Sequence, residues 1–399
     1  MKIVSIEPTP SPNSMKLNMD EKLNPGVRLT YAPDNAQQAP AYVQRLLEIP
    51  GVTGLFQTAD FIALDRHPKG DWQAILGAAR EVLGEAGAGA DGGKPAGAAA
   101  GESGSGQPAS QGAATPENVP PAGWGEVNVL VQMFRGIPMQ VRVQSAGEER
   151  RAALPERFAQ TAVKAGAASP NLLYERKLVE QGVRYGELAD VLDEVVRELD
   201  AAYDAERLDA LAAAAQADAG DAGEQRSEAA ELAELEAALE DGDWRKRYAA
   251  LQRLTPTIAA VPLLARALSD AQMSVRRLAV VYLGDIKEPE TLPHLFRALK
   301  DSAVAVRRTA GDTLSDLGDP AAIGPMSEAL RDPNKLVRWR AARYLFETGD
   351  DTALNALHQA KDDPEFEVRM QINMAIERIE GGEAASGSVW QQMTNRSRE

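Results

Sequence analysis

Cysteine is absent from all 399 residues. Disulfides, thiolate nucleophiles and Cys-ligated zinc or iron–sulfur centres are therefore excluded for this chain. Histidine is nearly as scarce. The three present, His67, His294 and His358, fall in a predicted surface turn and on two separate predicted helices, with no H-E-x-x-H pairing. Aromatic residues make up 5% of the chain, so small helix formers, alanine above all, carry much of its 44% apolar content. No window approaches 18 consecutive apolar residues, and the opening MKIVSIEPTP lacks a basic region followed by an apolar stretch. These absences lead to the expectation of an Ala-rich, helical, cytoplasmic protein that does not act at a membrane, with length enough for two or three domains.

The net charge of -16 is unevenly spread. Residues 200–240 hold 12 acids against 2 bases, whereas 241–380 hold 21 acids and 20 bases, so the last third is close to neutral. Acidity is thus local and does not by itself decide the partners.

Apolar patterning divides the chain. Strands are predicted at 2–7, 15–19 and 27–31, a helix at 39–48, two strands in GVTGLFQ and DFIALDR, and a helix from Trp72 to about Leu83 capped by Asp71. This is a small α+β domain over 1–84. Residues 85–123 turn to Gly, Ala, Ser and Pro, which bury too little to offset their ordering entropy, and read as a linker. Gly87, Gly89 and Gly92 match G-x-G-x-x-G there, but after a helix rather than a strand, which is the wrong context for a dinucleotide loop. A second α+β unit is expected over 124–204. It opens with an alternating hairpin at 126–144 that turns at Arg135–Pro138, continues with helices near 148–165 and 171–180, and ends in a strong helix over 185–203. Gly182 and Gly186, flanking Arg184 and Tyr185, are expected to form the turn into that helix. Residues 205–239 read as an acidic helical spacer.

The last third repeats. Asp270, Asp301, Asp332 and Asp363 are 31 residues apart, and each is followed six positions later by Arg276, Arg307, Arg338 or Arg369; Asp241 and Arg247 open the series. A helix pair cannot bury its own apolar stripe, but stacked pairs can, at roughly 1.5–3 kcal/mol per buried Leu or Val. A helical solenoid over 240–381 follows, with a tail at 382–399. Two roles are open for its arginines. The Asp and Arg residues can form a ladder between repeats, or Arg277, Arg308 and Arg340 beside them can form a basic stripe for phosphate or an acidic partner. With equal acids nearby, the balance argues against nucleic acid.

Several segments resemble known families. D-x5-R with its surrounding Val and Leu resembles the short HEAT-like repeats found also in phycobilisome-lyase-type proteins, over about four and a half units. T-P-S-P-N-S-M-K-L at 9–17, I-P-G-V at 49–52, D-F-I at 60–62 and D-W at 71–72 resemble the N-terminal domain of the Nfu/NifU-type iron–sulfur scaffold proteins. In that family a separate Cys-x-x-Cys domain holds the cluster, and this chain has no counterpart of it. F-R-G-I-P-M-Q-V at 134–141, L-P-E-R-F at 154–158, G-V-R-Y-G at 182–186 and G-S-V-W-Q-Q-M at 387–393 resemble the conserved virulence factor C family of Gram-positive bacteria, which joins an Nfu-like front, a middle unit and HEAT-like repeats.

The function expected is that of an adaptor without catalysis or cofactor, holding protein partners through its front domain and solenoid. The resemblance adds that one partner can belong to iron–sulfur handling or to its client proteins. The alternatives are a nucleic-acid-binding solenoid and an enzyme working through carboxylates, for which no nucleophile elbow, P-loop or metal motif is found. Candidate partner-binding residues are Asn13, Lys16, Arg184, Tyr185, Arg277, Arg308, Arg340 and Trp390. Asn13 has a structural alternative, since just after the chain-stiffening Pro10 and Pro12 it can bond neighbouring backbone. Trp390 can either dock back on the solenoid or serve as a ligand for a partner.

Overall fold

The computed structural model describes residues 2–9, 11–24, 26–84, 125–167, 171, 174–217 and 227–385. The linker expected at 85–123 and Trp390 lie outside them. The chain divides into two compact units, 1–123 and 124–399.

In the front unit, strands β1 (Ile3–Pro8), β2 (Ser14–Met19) and β3 (Arg28–Tyr31) precede helix α1 (Ala41–Leu47). β4 (Val52–Thr58), β5 (Phe61–Arg66) and α2 (Trp72–Leu83) follow. The sheet is antiparallel throughout, in the order β1-β2-β5-β4-β3. Met15, Leu17 and Met19 alternate with Lys16 and Asn18, so one face is buried and the other is open. Val43, Leu46 and Leu47 of α1 and Trp72, Ile75 and Leu76 of α2 close the buried face. The Asp71 carboxylate caps α2, accepting from the Gln73 amide at 2.9 Å. Every element expected here is present, to within a residue or two at its ends.

The second unit opens with β6 (Glu126–Phe134) and β7 (Ile137–Ser145), joined through Arg135 and Gly136, both at positive φ as a two-residue hairpin turn requires. The turn is shorter than expected, and Pro138 lies within β7 at a bulge opposite Met133. Two segments expected as helices depart from that reading. Residues 148–153 form a third strand, β8 (Glu148–Ala153), fed by a second tight turn at Ala146–Gly147, and helix α3 (Glu156–Gly166) begins only after Pro155. The expected helix at 171–180 is replaced by β9 (Lys177–Tyr185), which pairs with β6. Gly182, Arg184 and Tyr185 belong to that strand rather than to a turn. Gly182, at φ +80°, lies where a bulge shifts the register, and only Gly186 leads into α4 (Leu188–Ala202). The sheet order is β8-β7-β6-β9.

The acidic stretch at 205–239 is not a spacer where it is described. α5 (Ala205–Gln216) buries Leu208, Ala212 and Ala215 and packs on α3. α6 (Glu228–Ala238) buries Leu235 and packs on α7 (Trp244–Arg253). Beyond them, seven-residue helices α8 (Val261–Ala267), α10 (Leu292–Ala298), α12 (Ile323–Ala329) and α14 (Leu354–Ala360) alternate with long helices. The long ones are α9 (Met273–Ile286), α11 (Val304–Leu317), α13 (Lys335–Thr348) and α15 (Phe366–Glu380), each stacked on the next. Lys287 and Gly318 end α9 and α11 in the left-handed region. One continuous core runs from Val127 to Ile379, so the middle α+β elements and the helical repeats are welded by shared apolar burial. The fold class, α+β followed by an all-α HEAT-like solenoid, is the one expected.

Candidate interaction surfaces

The stretch TPSPNSMKL separates its two candidate residues. Pro12 and Asn13 lie in a loop that passes over Arg66 and Trp72. The Pro12 carbonyl accepts from Trp72 Nε1 at 2.9 Å and from the Arg66 guanidinium at 3.3 Å, while the Asn13 carbonyl accepts from the Arg66 amide at 2.9 Å. Arg66 also donates to the Gly70 carbonyl at 2.8 Å and lies over the Trp72 ring. Asn13 is buried within this knot. Lys16 points the other way, onto the open sheet face, where it pairs with Glu7 at 2.9 Å and sits 5.3 Å from the Phe61 ring centroid. Phe56 and Phe61 are half-buried on the same face, with ring centroids 6.3 Å apart.

The Asp-x5-Arg series forms the ladder. Each guanidinium grips the aspartate of the following repeat through two nitrogens: Arg247 to Asp270 (2.6 and 2.8 Å), Arg276 to Asp301 (2.7 and 2.9 Å), Arg307 to Asp332 (2.6 and 2.9 Å) and Arg338 to Asp363 (2.6 and 3.1 Å). A third nitrogen reaches the main-chain carbonyl of the repeat's own aspartate, at 2.8–3.0 Å in these four rungs. Each gripped carboxylate also accepts from the amide two residues ahead, which fixes the start of the long helix. Burial acts to raise the Asp301 carboxyl, and the bonds from Arg276 and the Ala303 amide override it, leaving it below the ordinary range. The ends differ. Asp241 takes Lys246 at 2.8 Å, and Arg369 donates to the carbonyls of Asp363 and Pro364.

The neighbouring arginines are drawn into a second network, between the middle α+β elements and the long repeat helices. Arg184, at the end of β9, pairs with Glu194 at 2.7 Å and Glu198 at 2.5 Å, both on α4. Arg277 on α9 meets the same Glu198 at 3.2 Å. Tyr185 accepts from Arg308 at 2.8 Å and donates to Glu126 at 3.3 Å; its ring faces the Arg308 guanidinium at 4.3 Å. Arg308 also donates to the Leu336 carbonyl, and Asp312 holds Arg308 at 3.1 Å and Arg340 at 2.6 Å. Burial pushes the Glu198 carboxyl up, but Arg277 and Arg184 outweigh it and hold it down at about 2. Glu194, dominated by burial, is pushed up instead. Beside this cluster a cavity of about 260 Å³ is lined by Glu194, Arg197, Trp244, Arg245, Gln272, Met273 and Ser274.

Five of the candidates, Arg184, Tyr185, Arg277, Arg308 and Arg340, are therefore brought together with one another and with carboxylates of the same chain. Sequence reasoning missed the acids that hold them. Glu198 carried a signal: it follows Val191 and Val195 on the buried stripe of α4, seven residues after the first, where an apolar residue is expected. Asp312 carried none. Among the described residues, no group of three or more His, Asp or Glu could hold a metal ion, and no helix is long and apolar enough to cross a membrane.

The geometry defines a HEAT-repeat solenoid whose first repeats are locked onto an α+β unit, with a separate small α+β domain ahead of it. Three family matches follow the same division: Scaffold protein Nfu/NifU N terminal over 4–88, Virulence factor over 132–212, and HEAT repeats over 232–311 and 297–377. Over 399 residues the chain is 41% identical to Conserved virulence factor C of Staphylococcus haemolyticus, covering 100% of both, and over 400 residues 43% identical to that of Staphylococcus aureus strain NCTC 8325, again covering 100% of both. It is 49% identical to a Bacillus subtilis protein named YpgR, covering 99% of this chain and 98% of that one. The chain belongs to the conserved virulence factor C family.

Proposed function

We propose that this chain is a non-enzymatic cytoplasmic adaptor, with the open face of the front sheet as its principal docking surface. The carrying observation is the pair Phe56 and Phe61, half-buried on a face that neither α1 nor α2, the α-helices among the unit's described residues, covers and bordered by Lys16 and Glu7. Aromatic area with a charged rim suits a protein partner better than a small molecule. The match of this unit to the Nfu/NifU N-terminal family supports a partner drawn from iron–sulfur assembly or its clients, with the metal borne by the partner because this chain has no thiol. The names of the relatives support a place in virulence regulation. Nucleic acid is disfavoured, since Arg277, Arg308 and Arg340 are engaged by Glu198 and Asp312 rather than set out as a stripe.

The test starts from the tagged full chain, crosslinked in its source bacterium, with each recovered protein then purified and titrated. A true partner is expected to bind the Lys16→Glu/Phe61→Ser variant at least about tenfold more weakly, with unchanged thermal unfolding of the variant. Equal binding by the variant, or turnover by the purified chain alone, would overturn the reading.

A further inference from the structure

The sheet of the second unit ends in two unlike edges. β8 presents Glu148, Glu149, Arg150 and Arg151, a run of charge that discourages strand addition. β9 pairs with β6 along one side, and its other side has no strand neighbour among the described residues. Lys177 to Val183 are all exposed. Leu178 is 48% exposed, Val179 39% and Val183 47%. Leu178 lies opposite Gln132 and Val179 opposite Val131, so these two apolar side chains project from opposite faces of the sheet. A helix docking on one face would cover only one of them. A further strand, continuing the sheet, would cover both.

We propose that β9 pairs antiparallel with β9 of a second copy of this chain, about a two-fold axis perpendicular to the sheet through Leu178. Residues directly opposite in an antiparallel pair share a face, and faces alternate along a strand, so such an axis has to pass through a residue. Centred on Leu178, it sets Leu178 against its own copy, Lys177 against Val179, and Arg176 against Glu180. Neither Arg176 nor Glu180 has an ion-pair partner among the described residues, and this register supplies one to each, twice over by symmetry. Centring on Glu180 would oppose two carboxylates, and centring on Val179 would set Leu178 against Glu180. The bulge at Gly182 falls beyond the paired core of 176–180. A strand-edge contact of this size is small for an obligate interface, so the dimer is expected to dissociate in the micromolar range.

The experiment is sedimentation equilibrium of the full chain from micromolar to sub-millimolar concentration, with hydrogen exchange at 177–181 measured alongside. Wild type is expected to dimerise, with protection of 177–181 rising with concentration. Glu180→Arg, which opposes two guanidinium groups, is expected to weaken the dimer about tenfold, and Arg176→Glu/Glu180→Arg to restore it. Leu178→Lys is expected to weaken it as well, by like charge at the axis. A monomer throughout the range would overturn the proposal. So would a dimer indifferent to Glu180→Arg and Leu178→Lys, or a monomeric chain whose β9 pairs instead with a strand of another protein.

Discussion

Arg276 and Arg277, like Arg307 and Arg308, are neighbours in sequence and alike in chemistry, yet they hold different things together. The first of each pair reaches along the solenoid to the next repeat's aspartate. The second, about 100° further round the same helix, reaches across to the α+β elements, to Glu198 or Tyr185. For Arg276 and Arg307 the ladder partner is 25 residues away, whereas the crossing partners of Arg277 and Arg308 are 79 and 123 residues away. Local repetition fixes the first set. Only the assembled fold brings the second set together.

Among the largest effects expected is the one at Glu198. Removing its carboxylate by Glu198→Ala leaves Arg184 and Arg277 to share Glu194 alone in a buried site and is expected to cost roughly 3 kcal/mol in denaturant unfolding. The same group predicts an acid response. Its carboxyl is held at about 2 in the fold against an ordinary 4.5, so its contribution is full above about 4.5 and is lost as pH falls towards 2. Glu194 is shifted the opposite way and takes up its proton first, so as pH falls its own contribution to stability rises while the pH is still above about 4.5, before the loss at Glu198 begins. In Glu198→Gln the loss of stability between about 4.5 and 2 is expected to flatten. An unchanged slope would mean that the crossing arginines are not what holds this carboxylate ionised.

Next comes the ladder itself. Arg307→Ala leaves Asp332 buried without its two-pronged partner and is expected to cost roughly 3 kcal/mol. Arg369→Ala, at the last rung, loses only bonds to carbonyls and is expected to cost about 1 kcal/mol. Equal losses at the two sites would show that the forward grip on the aspartate contributes little.

The smallest effects sharpen how closely the repeats approach. A Cβ at Gly284 would meet Thr313 Cγ2 at 2.4 Å, whereas one at Gly324, in α12, would meet nothing within 4 Å. Gly284→Ala is expected to destabilise by about 1–2 kcal/mol, and Gly324→Ala to stabilise by roughly 0.5–1 kcal/mol. Thermal unfolding of the two variants should move in opposite directions.

How much of this was readable follows from what each element offers a reader. Alternation such as Met15-Lys16-Leu17 and the fixed Asp–Arg offset are strong one-dimensional signals, and both led to the right elements. β8 has none, because Glu148 to Arg151 are charged on both faces of an edge strand, and charge without alternation looks like an exposed helix. β9 was obscured by Gly182, which reads as a turn when a bulge kinks a strand. α5 reads as a helix but not as core, because its core contacts include Ala212 and Ala215, side chains too small to register as a stripe in an alanine-rich background. Of the interaction residues, Lys16 on its open sheet face fell out of the strand pattern. The engagement of Arg277 and Arg308 depended on acids and rings far away in the chain.

The ladder also has a direction. Every rung runs from an arginine to the aspartate that comes after it, so a unit of 31 residues enters with one open grip and leaves with another of the same kind. The rungs alone would therefore close over a duplicated or deleted unit. The repeats that carry Arg277, Arg308 and Arg340 are pinned in number by what they clasp.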